Sequence, residues 1–322
     1  MIENIEKKIY EGDNISENEA IILSELQDKE NLYKVANRVR EFFKSDVFDM
    51  CTITNAKSGS CTEDCKWCAQ SASYETGVAT YEIVDKNQAI EQASINRKYG
   101  VNRYSLVTSG RVISKKNLSE LCEIYGEIKK NNDISLCASM GLLNEEKLLM
   151  LKNAGIVHYH CNLETSREFF PQVCTTHTYE EKIQTIRTAR KLGMKICSGG
   201  IIGMGETMLD RIRLAMELQK LEVDSIPINI LSPVAGTPLE NSEKLSDDEI
   251  LTTIALFRLI NPKADIRFAG GRMQISHIQD KALKAGVNSA LVGDLLTTIG
   301  TNVNEDIKIF KDAGFRLNDL NN

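Results

Sequence analysis

Proline is scarce in this chain, basic residues are not in excess, and no long apolar run occurs anywhere in it. With 5 prolines in 322 residues, long proline-rich linkers are excluded. Lys and Arg total 39 against 45 Asp and Glu, a net charge of −6, so a predominantly basic nucleic-acid-binding protein is not expected. No stretch approaches the roughly 18 uninterrupted apolar residues of a membrane span. The amino terminus, Met1-Ile2-Glu3-Asn4-Ile5-Glu6-Lys7-Lys8, is charged and has no apolar core of a signal peptide. Together these absences lead to an expectation of a cytoplasmic protein with neither nucleic acid nor membrane as partner. The 9 cysteines are then not a disulfide framework, since thiols stay reduced there and are free to pack, react or bind metal.

What is present is enough apolar material for a large core, 42% of residues, with 26% charged. Residues 1–46 read as two or three short helices, with Ser16 and Glu19 at capping-box spacing. From residue 47 short β-rich runs alternate with amphipathic helical stretches. Gly100, Gly155, Gly193 and Gly286 each end a helix just before a strand-like run. Thr178/Glu181 and Ser246/Glu249 repeat the capping-box spacing. Strand candidates fall at about 49–54, 103–108, 134–138, 157–162, 195–199, 225–230, 265–269 and 288–292. Alternation of this kind implies a parallel sheet covered by helices. Eight units predict an α/β protein with a closed (β/α)8 TIM-type barrel over 47–322 and an N-terminal helical extension over 1–46; an open doubly wound sheet is the competing architecture. In such barrels the active site lies at the C-terminal ends of the strands. Residues with chemistry to offer gather there: a cysteine cluster, Ser105, Cys137, Asn162, Glu164, Cys197, Asn229 and Arg267.

The sharpest motif is Cys61-Thr-Glu-Asp-Cys65-Lys-Trp-Cys68, directly after the first strand. Three thiolates packed so closely need a metal to offset their repulsion, and soft thiolates select zinc, copper(I) or iron–sulfur clusters. A structural zinc site wants a fourth Cys or His at short spacing, and none is there. Three ligands instead leave one iron of a 4Fe-4S cluster open. The polar surroundings (Lys57, Ser58, Ser60, Glu63, Asp64, Lys66) argue against three ordinary core cysteines.

This loop resembles the signature of the radical S-adenosylmethionine (SAM) superfamily, in which SAM chelates the open iron and the reduced cluster releases a 5′-deoxyadenosyl radical. The longer stretch Ser58 to Ser71 resembles the biotin synthase family. So do Tyr159 to Ser166, Cys197 to Thr207, Pro227-Ile-Asn229 with Gly236 to Leu239, and Arg267 to Arg272. The resemblance runs in order from about residue 40 to 315. It implies conversion of dethiobiotin to biotin by sulfur insertion, with a second, auxiliary iron–sulfur cluster, usually 2Fe-2S, as sulfur donor. Carried over, Cys137, Cys197 and Arg267 fall on three of its four ligand positions, and Ser105 falls where the family has cysteine. Three resolutions stand open. Ser105 could ligate as an alkoxide beside ferric iron, Cys174 could substitute, or the auxiliary cluster could have another nuclearity. Cys161 has the wrong strand parity if His160 and Asn162 point inward.

The resemblance also places Asn162 and Glu164 on the SAM ribose and the substrate ureido ring, Glu164 standing where Asp is commoner. Lys182 stands where the family has an Arg for the SAM carboxylate, so charge is kept and the bidentate fork lost. The Gly-rich run from Gly199 to Glu206, including Gly205, would let backbone amides approach SAM, and it lacks the phosphate-loop pattern. Asn229 is expected at the ureido ring, and Thr297 and Thr298 at the dethiobiotin carboxylate. Trp67 would shield the cluster and pack on adenine. Ordinary readings compete: a salt bridge from Glu164 to Arg167 or another base on the rim, helix capping by Thr297 and Thr298, and loop anchoring by Trp67. Cys51 and Cys122 are read as core residues, and His158, His177 and His277 as structural.

The implied reaction uses two SAM molecules in turn, abstracting hydrogen at the methyl carbon and then at the ring-side methylene, and the closed barrel confines the radicals. A low-potential reductant of flavodoxin or ferredoxin type and a homodimer are implied partners and state. The rivals are a radical SAM enzyme that inserts no sulfur and a non-catalytic iron–sulfur or zinc module.

Overall fold

A computed structural model describes residues 1–293 and 302–317. Ten strands are present among them: β1 (Val47–Lys57), β2 (Arg103–Thr108), β3 (Ser135–Ser139), β4 (His158–His160), β5 (Lys195–Cys197), β6 (Gly200–Ile202), β7 (Ser225–Ile230), β8 (Asp265–Phe268), β9 (Ser289–Leu291) and β10 (Arg316–Leu317). All named strand pairs are parallel, and β9 returns to pair with β1, so the sheet closes into the expected TIM-type barrel rather than an open sheet. β5 and β6 both pair with β7 and together make one barrel strand, which leaves eight staves. β10 extends the start of β1 through Val47↔Arg316 and Phe48↔Leu317.

The expected 195–199 strand is therefore interrupted. At Ser198 and Gly199 the chain leaves the ladder, with the Gly199 N–H donating to Asn162 Oδ1 at 2.9 Å. The break is where two backbones crowd together. A Cβ on Gly199 would sit 2.0 Å from the Pro227 carbonyl, and one on Gly200 would sit 2.3 Å from that of Glu164. Only glycine fits such contacts.

Helices α1 (Ile2–Tyr10), α2 (Glu17–Ser24) and α3 (Lys29–Lys44) precede the barrel. Around it lie α4 (Lys86–Lys98), α5 (Lys115–Asn131), α6 (Glu145–Asn153), α7 (Phe170–Val173), α8 (Tyr179–Lys191), α9 (Met208–Lys220), α10 (Asp247–Ile260), α11 (Gln279–Leu283) and α12 (Val303–Asp312). Capping boxes start α2, α8 and α10 at Ser16, Thr178 and Ser246, as the spacing predicts. Gly100, Gly155, Gly193 and Gly286 take positive φ at helix ends.

Every residue of α10 from Ile250 to Ile260 is buried. A helix apolar on all sides needs cover on all sides. Here α2, α3 and α9 supply it, which gives the N-terminal helices their packing role. Residues Ile5, Leu23 and Leu32 share one continuous core with the barrel.

Candidate active site

The cysteine loop leaves the C-terminal end of β1 and is tied into a compact coil. Cys61 N–H donates to the Gln70 carbonyl at 3.0 Å, and Ala72 N–H to that of Cys61 at 2.7 Å. The loop is also clasped from across the rim. The Asp64 carboxylate accepts the Thr175 and Thr176 N–H groups at 2.9 and 3.2 Å, together with both hydroxyls. Burial works against this carboxylate, but those hydrogen bonds outweigh it and hold the pKa well below the usual range. Cys61 is buried, and Cys65 and Cys68 are half-buried. Burial pushes the Cys68 thiol up to about 11, so only a bound cation would keep it a thiolate at neutral pH.

Among the described residues, only Cys65, Cys174 and His177 bring three ligand atoms within 4.8 Å of one another. The three loop sulfurs are spread wider than that. Such spacing suits ligands to separate corner irons of a cluster better than a single tetrahedral zinc.

Two cavities border this loop and a third lies behind them inside the barrel. One of 210 Å³ is lined by the three loop cysteines, Arg111, His177 and Lys182. A second, of 240 Å³, lies beside Trp67, Cys68 and Asn229. The third, of 280 Å³, lies deeper between the strands. Asn162 and Glu164 line all three, so they stand at the junction. Trp67 faces the first two and also anchors the loop against Val173, Met204 and Leu231.

Glu164 has φ +74°, unusual for a residue with a Cβ. Its N–H donates to the Gly199 carbonyl at 3.0 Å and its own carbonyl accepts from Ile201 at 2.8 Å, which fixes that conformation. Its carboxylate accepts a hydrogen bond from Asn162 Nδ2 at 3.3 Å. Burial raises the Glu164 pKa, with the Lys182 ammonium opposing. Burial works to lower the Lys182 pKa, but Glu164 and nearby thiols outweigh it and raise it. Lys182 Nζ donates to the Asn162 carbonyl at 3.0 Å. Arg167, the expected competing partner of Glu164, pairs instead with Glu180 at 3.1 Å.

The Gly-rich loop is braced from within. Glu206 accepts the N–H groups of Gly203 and Met204 at 2.8 and 2.7 Å and the Arg211 Nε–H at 2.7 Å. Its carboxylate is thus turned into its own loop, which leaves backbone groups as the loop's means of touching a ligand. Gly205 is exposed at φ +102° and lines none of the three cavities. Asn229 accepts the Gly270 N–H at 2.9 Å and donates to the Gly200 carbonyl at 3.0 Å.

The deep cavity follows the two-residue period of strands. β2 presents Arg103, Ser105 and Val107, β4 presents His158 and His160, and β8 presents Arg267, with Ala269 just after it. Cys137 and Cys197 face it, as expected, and His160 Nδ1 lies 3.3 Å from Cys197 Sγ. Arg267 is fully engaged. It donates to Asp49 Oδ2 at 2.5 Å, the Ala290 carbonyl at 3.0 Å and Ser225 Oγ at 3.2 Å. Burial works to lower its pKa, and Asp49 with the neighbouring thiols more than offsets this. Beneath, Asp49 also pairs with Arg103 at 3.3 Å, Arg103 with Asp265 at 3.3 Å, and Asp265 with Lys44 at 2.8 Å.

Cys51, read from the sequence as core, also lines this cavity. Its thiol lies close to that of Cys137. The nearness of the two thiols lowers the Cys51 pKa, and it joins burial in raising Cys137 well above the usual thiol value. Cys174, considered as a substitute ligand there, is elsewhere. Its Sγ is 3.6 Å from Cys65 Sγ and 3.3 Å from His177 Nδ1, on the cysteine-loop side. It lies on the rim, as its place before the Thr178 helix implies, but beside the cysteine loop and not in the deep cavity. His177, read as structural, bonds Glu63 at 2.5 Å and lines the same cavity as Lys182. Thr297 and Thr298 lie outside the described residues.

The donor set of the deep cavity fits an iron–sulfur group: cysteine sulfurs converge on one enclosed space beside a cationic guanidinium. His158, on the same wall, has both ring nitrogens without a hydrogen-bond partner among the described residues. Burial takes its pKa down to about 3, so the ring is neutral and free to bond a buried group.

Comparison with known proteins agrees with this arrangement. Residues 57–218 match the radical SAM superfamily, and residues 227–316 match the biotin and thiamin synthesis associated domain. A biotin synthase of Porphyromonas gingivalis is 51% identical over 318 residues, 98% of this chain and 96% of that protein. One from Clostridium tetani is 50% identical over 320 residues, 98% of each chain. The crystal structure of a methylornithine synthase superimposes with a TM-score of 0.83 over 98% of both chains at 18% identity, which shows a shared fold.

Proposed function

The chain belongs to the biotin synthase family of radical SAM enzymes, and from that membership we infer that it inserts sulfur into dethiobiotin to form biotin. The observation that carries the reading within this structure is the position of Asn162 and Glu164. They line both the cavity under the cysteine loop and the deep thiol-lined cavity behind it. A substrate seated on them lies between two places able to hold metal.

Cys61, Cys65 and Cys68 would hold a 4Fe-4S cluster whose open iron takes SAM, and Cys137, Cys197 and Arg267, with Ser105, would border an auxiliary cluster. When bound, the first group with SAM supplies the power to abstract hydrogen, and the second supplies the inserted sulfur. The chain itself binds and orients. Lys182 sets a buried cation where the SAM carboxylate would lie. Glu164 and Asn162 take ribose hydroxyls and the ureido ring, with Asn229 on the ring's far side. Trp67 covers adenine, and the backbone around Gly205 and Glu206 edges SAM. Thr297 and Thr298 are assigned to the dethiobiotin carboxylate. The barrel walls keep water from a reactive carbon.

The same reading extends to a low-potential reductant of flavodoxin or ferredoxin type, a homodimer, a cytoplasmic setting, and helices 1–46 as an extension of the barrel domain. No helix among the described residues is long and apolar enough to cross a membrane. Anaerobic turnover of reconstituted protein with dethiobiotin, SAM and reductant tests the function. The product expected is heavier by one sulfur and lighter by two hydrogens. Formation of 5′-deoxyadenosine without that product would favour a radical SAM enzyme of another kind. No 5′-deoxyadenosine at all would favour a non-catalytic module.

A further inference from the structure

The deep cavity poses a question of ligand count. Cys137 and Cys197 face it, but the third thiolate position expected from the family is filled by Ser105. A hydroxyl is a harder donor than a thiol and gives up its proton far less readily, so it is a poor exchange at an iron–sulfur site. The exchange is compensated one strand away. β1 runs beside β2 with Cys51 level with Arg103 and Ile53 level with Ser105. Cys51 and Ile53 lie two residues apart on one face of β1, and both line the deep cavity. Cys51 therefore adds a sulfur to the same space one layer below the missing one.

Its surroundings are those of a ligand rather than of a packing residue. Cys51 from β1 and Cys137 from β3 both line the deep cavity, so the two sulfurs share one enclosed space. Arg267 lines the same cavity as Cys51, Cys137 and Cys197. Cys161, by contrast, is in the hydrophobic core and does not line the deep cavity, and Cys174 sits against Cys65.

We propose that Cys51 supplies the third thiolate of the deep site, doing there what the hydroxyl of Ser105 cannot. The proposal rests on the reading that this cavity holds an iron–sulfur group, and it moves one ligand from β2 to β1 while keeping three thiolates. Each ligating thiol gives up its proton as iron binds.

The test compares full-length wild type with Cys51→Ala, Ser105→Ala and the exchange Cys51→Ser with Ser105→Cys. Each is reconstituted anaerobically with Mössbauer-active iron and sulfide. Iron and sulfide per chain are counted, and the spectrum separates the loop cluster from the auxiliary one. Cys51→Ala is expected to lose most of the auxiliary iron and its spectral component while the loop-cluster component stays. Ser105→Ala is expected to keep both, and the exchange to regain auxiliary iron. Full auxiliary iron in Cys51→Ala, or its loss in Ser105→Ala, would overturn the proposal. Should Cys51→Ala fail to fold by circular dichroism, Cys51→Ser decides: an unchanged auxiliary spectrum overturns the assignment, and a lost one upholds it. Wild type with loop-cluster iron alone would overturn both this assignment and the sulfur-insertion reading. That outcome is distinct from loss confined to Cys51→Ala.

Discussion

Glu164 shows how far one residue's setting decides its chemistry. Its positive φ is held by backbone bonds on both sides, and its half-buried carboxylate stands at the meeting point of three cavities. Replacing it with Gln keeps the size and removes the charge. The loss of a charge-assisted hydrogen bond, about 1.5–3 kcal/mol, is expected to raise the SAM KM by roughly ten- to a hundredfold, read by initial rates of 5′-deoxyadenosine release. The Lys182 ammonium opposes the burial that raises the Glu164 pKa, as do His160, Asn162 and His177 more weakly. The carboxylate form persists above its pKa, so activity should fall as pH drops through it. Lys182→Met removes the main opposition and raises that pKa further. The acid limb of the pH–rate profile should then move to higher pH, and an unmoved limb would show that Glu164 does not set it. These neighbours were only half legible. The cysteine loop was readable because its residues are contiguous, and Asn162 and Glu164 because they end a strand within one matching segment. Cys51 was not, because a thiol inside a β-rich run reads as core until the facing strands reveal which side it looks at.

At the scale of elements, the strands were readable wherever a glycine cap led into a β-rich run, as at Gly100 and β2 or Gly193 and β5. Gly286 and β9 follow the same rule. The split between β5 and β6 was not, since it arises from backbone crowding against Glu164 and Pro227 that no local pattern records. β10 was equally hidden, being two residues paired with a strand at the far end of the chain. The crowding yields a prediction. In Gly200→Ala the new methyl would meet the Glu164 carbonyl at 2.3 Å and Leu214 Cδ2 at 2.6 Å. Overpacking of this kind costs about 1–3 kcal/mol, measurable as a lower urea midpoint, and it should weaken SAM binding because the strained neighbour is Glu164. The cysteine loop gives another. Asp64 carries the hydrogen bonds that clasp it to Thr175 and Thr176. Asp64→Ala leaves two backbone N–H groups without that acceptor. Cluster iron should pass to a chelator at least several-fold faster than from wild type. Because the folded pKa of Asp64 is depressed, its contribution is present above the ordinary carboxylate range and is lost only as pH falls below it. The clasp should therefore hold at neutral pH, and release measured at pH 6 and 8 should differ little on its account.

The molecule as a whole is a barrel whose two halves share one buried chain of charges. Lys44 from α3, Asp265 and Arg267 from β8, Arg103 from β2 and Asp49 from β1 join strands far apart in sequence beneath the deep cavity. Each charge is partnered, and the arrangement depends on every member being present. Asp49 is the hinge of the set, since it pairs with both Arg103 and Arg267. In Asp49→Ala, Arg103 keeps Asp265, whereas Arg267 keeps only the neutral acceptors Ser225 and Ala290. A buried guanidinium left in that state costs about 3–5 kcal/mol. Two comparisons separate this from a surface effect. Asp46, which pairs with Arg316 on the outside, is much more exposed, and Asp46→Ala should change the urea midpoint little. Added salt screens that outer pair and leaves the inner one almost untouched. The deficit of Asp49→Ala should therefore persist at high ionic strength, and its disappearance there would mean the buried chain of charges does not hold the barrel floor. Persistence together with a loss of auxiliary iron would tie the floor to the site above it, because Arg267 and Arg103 belong to both.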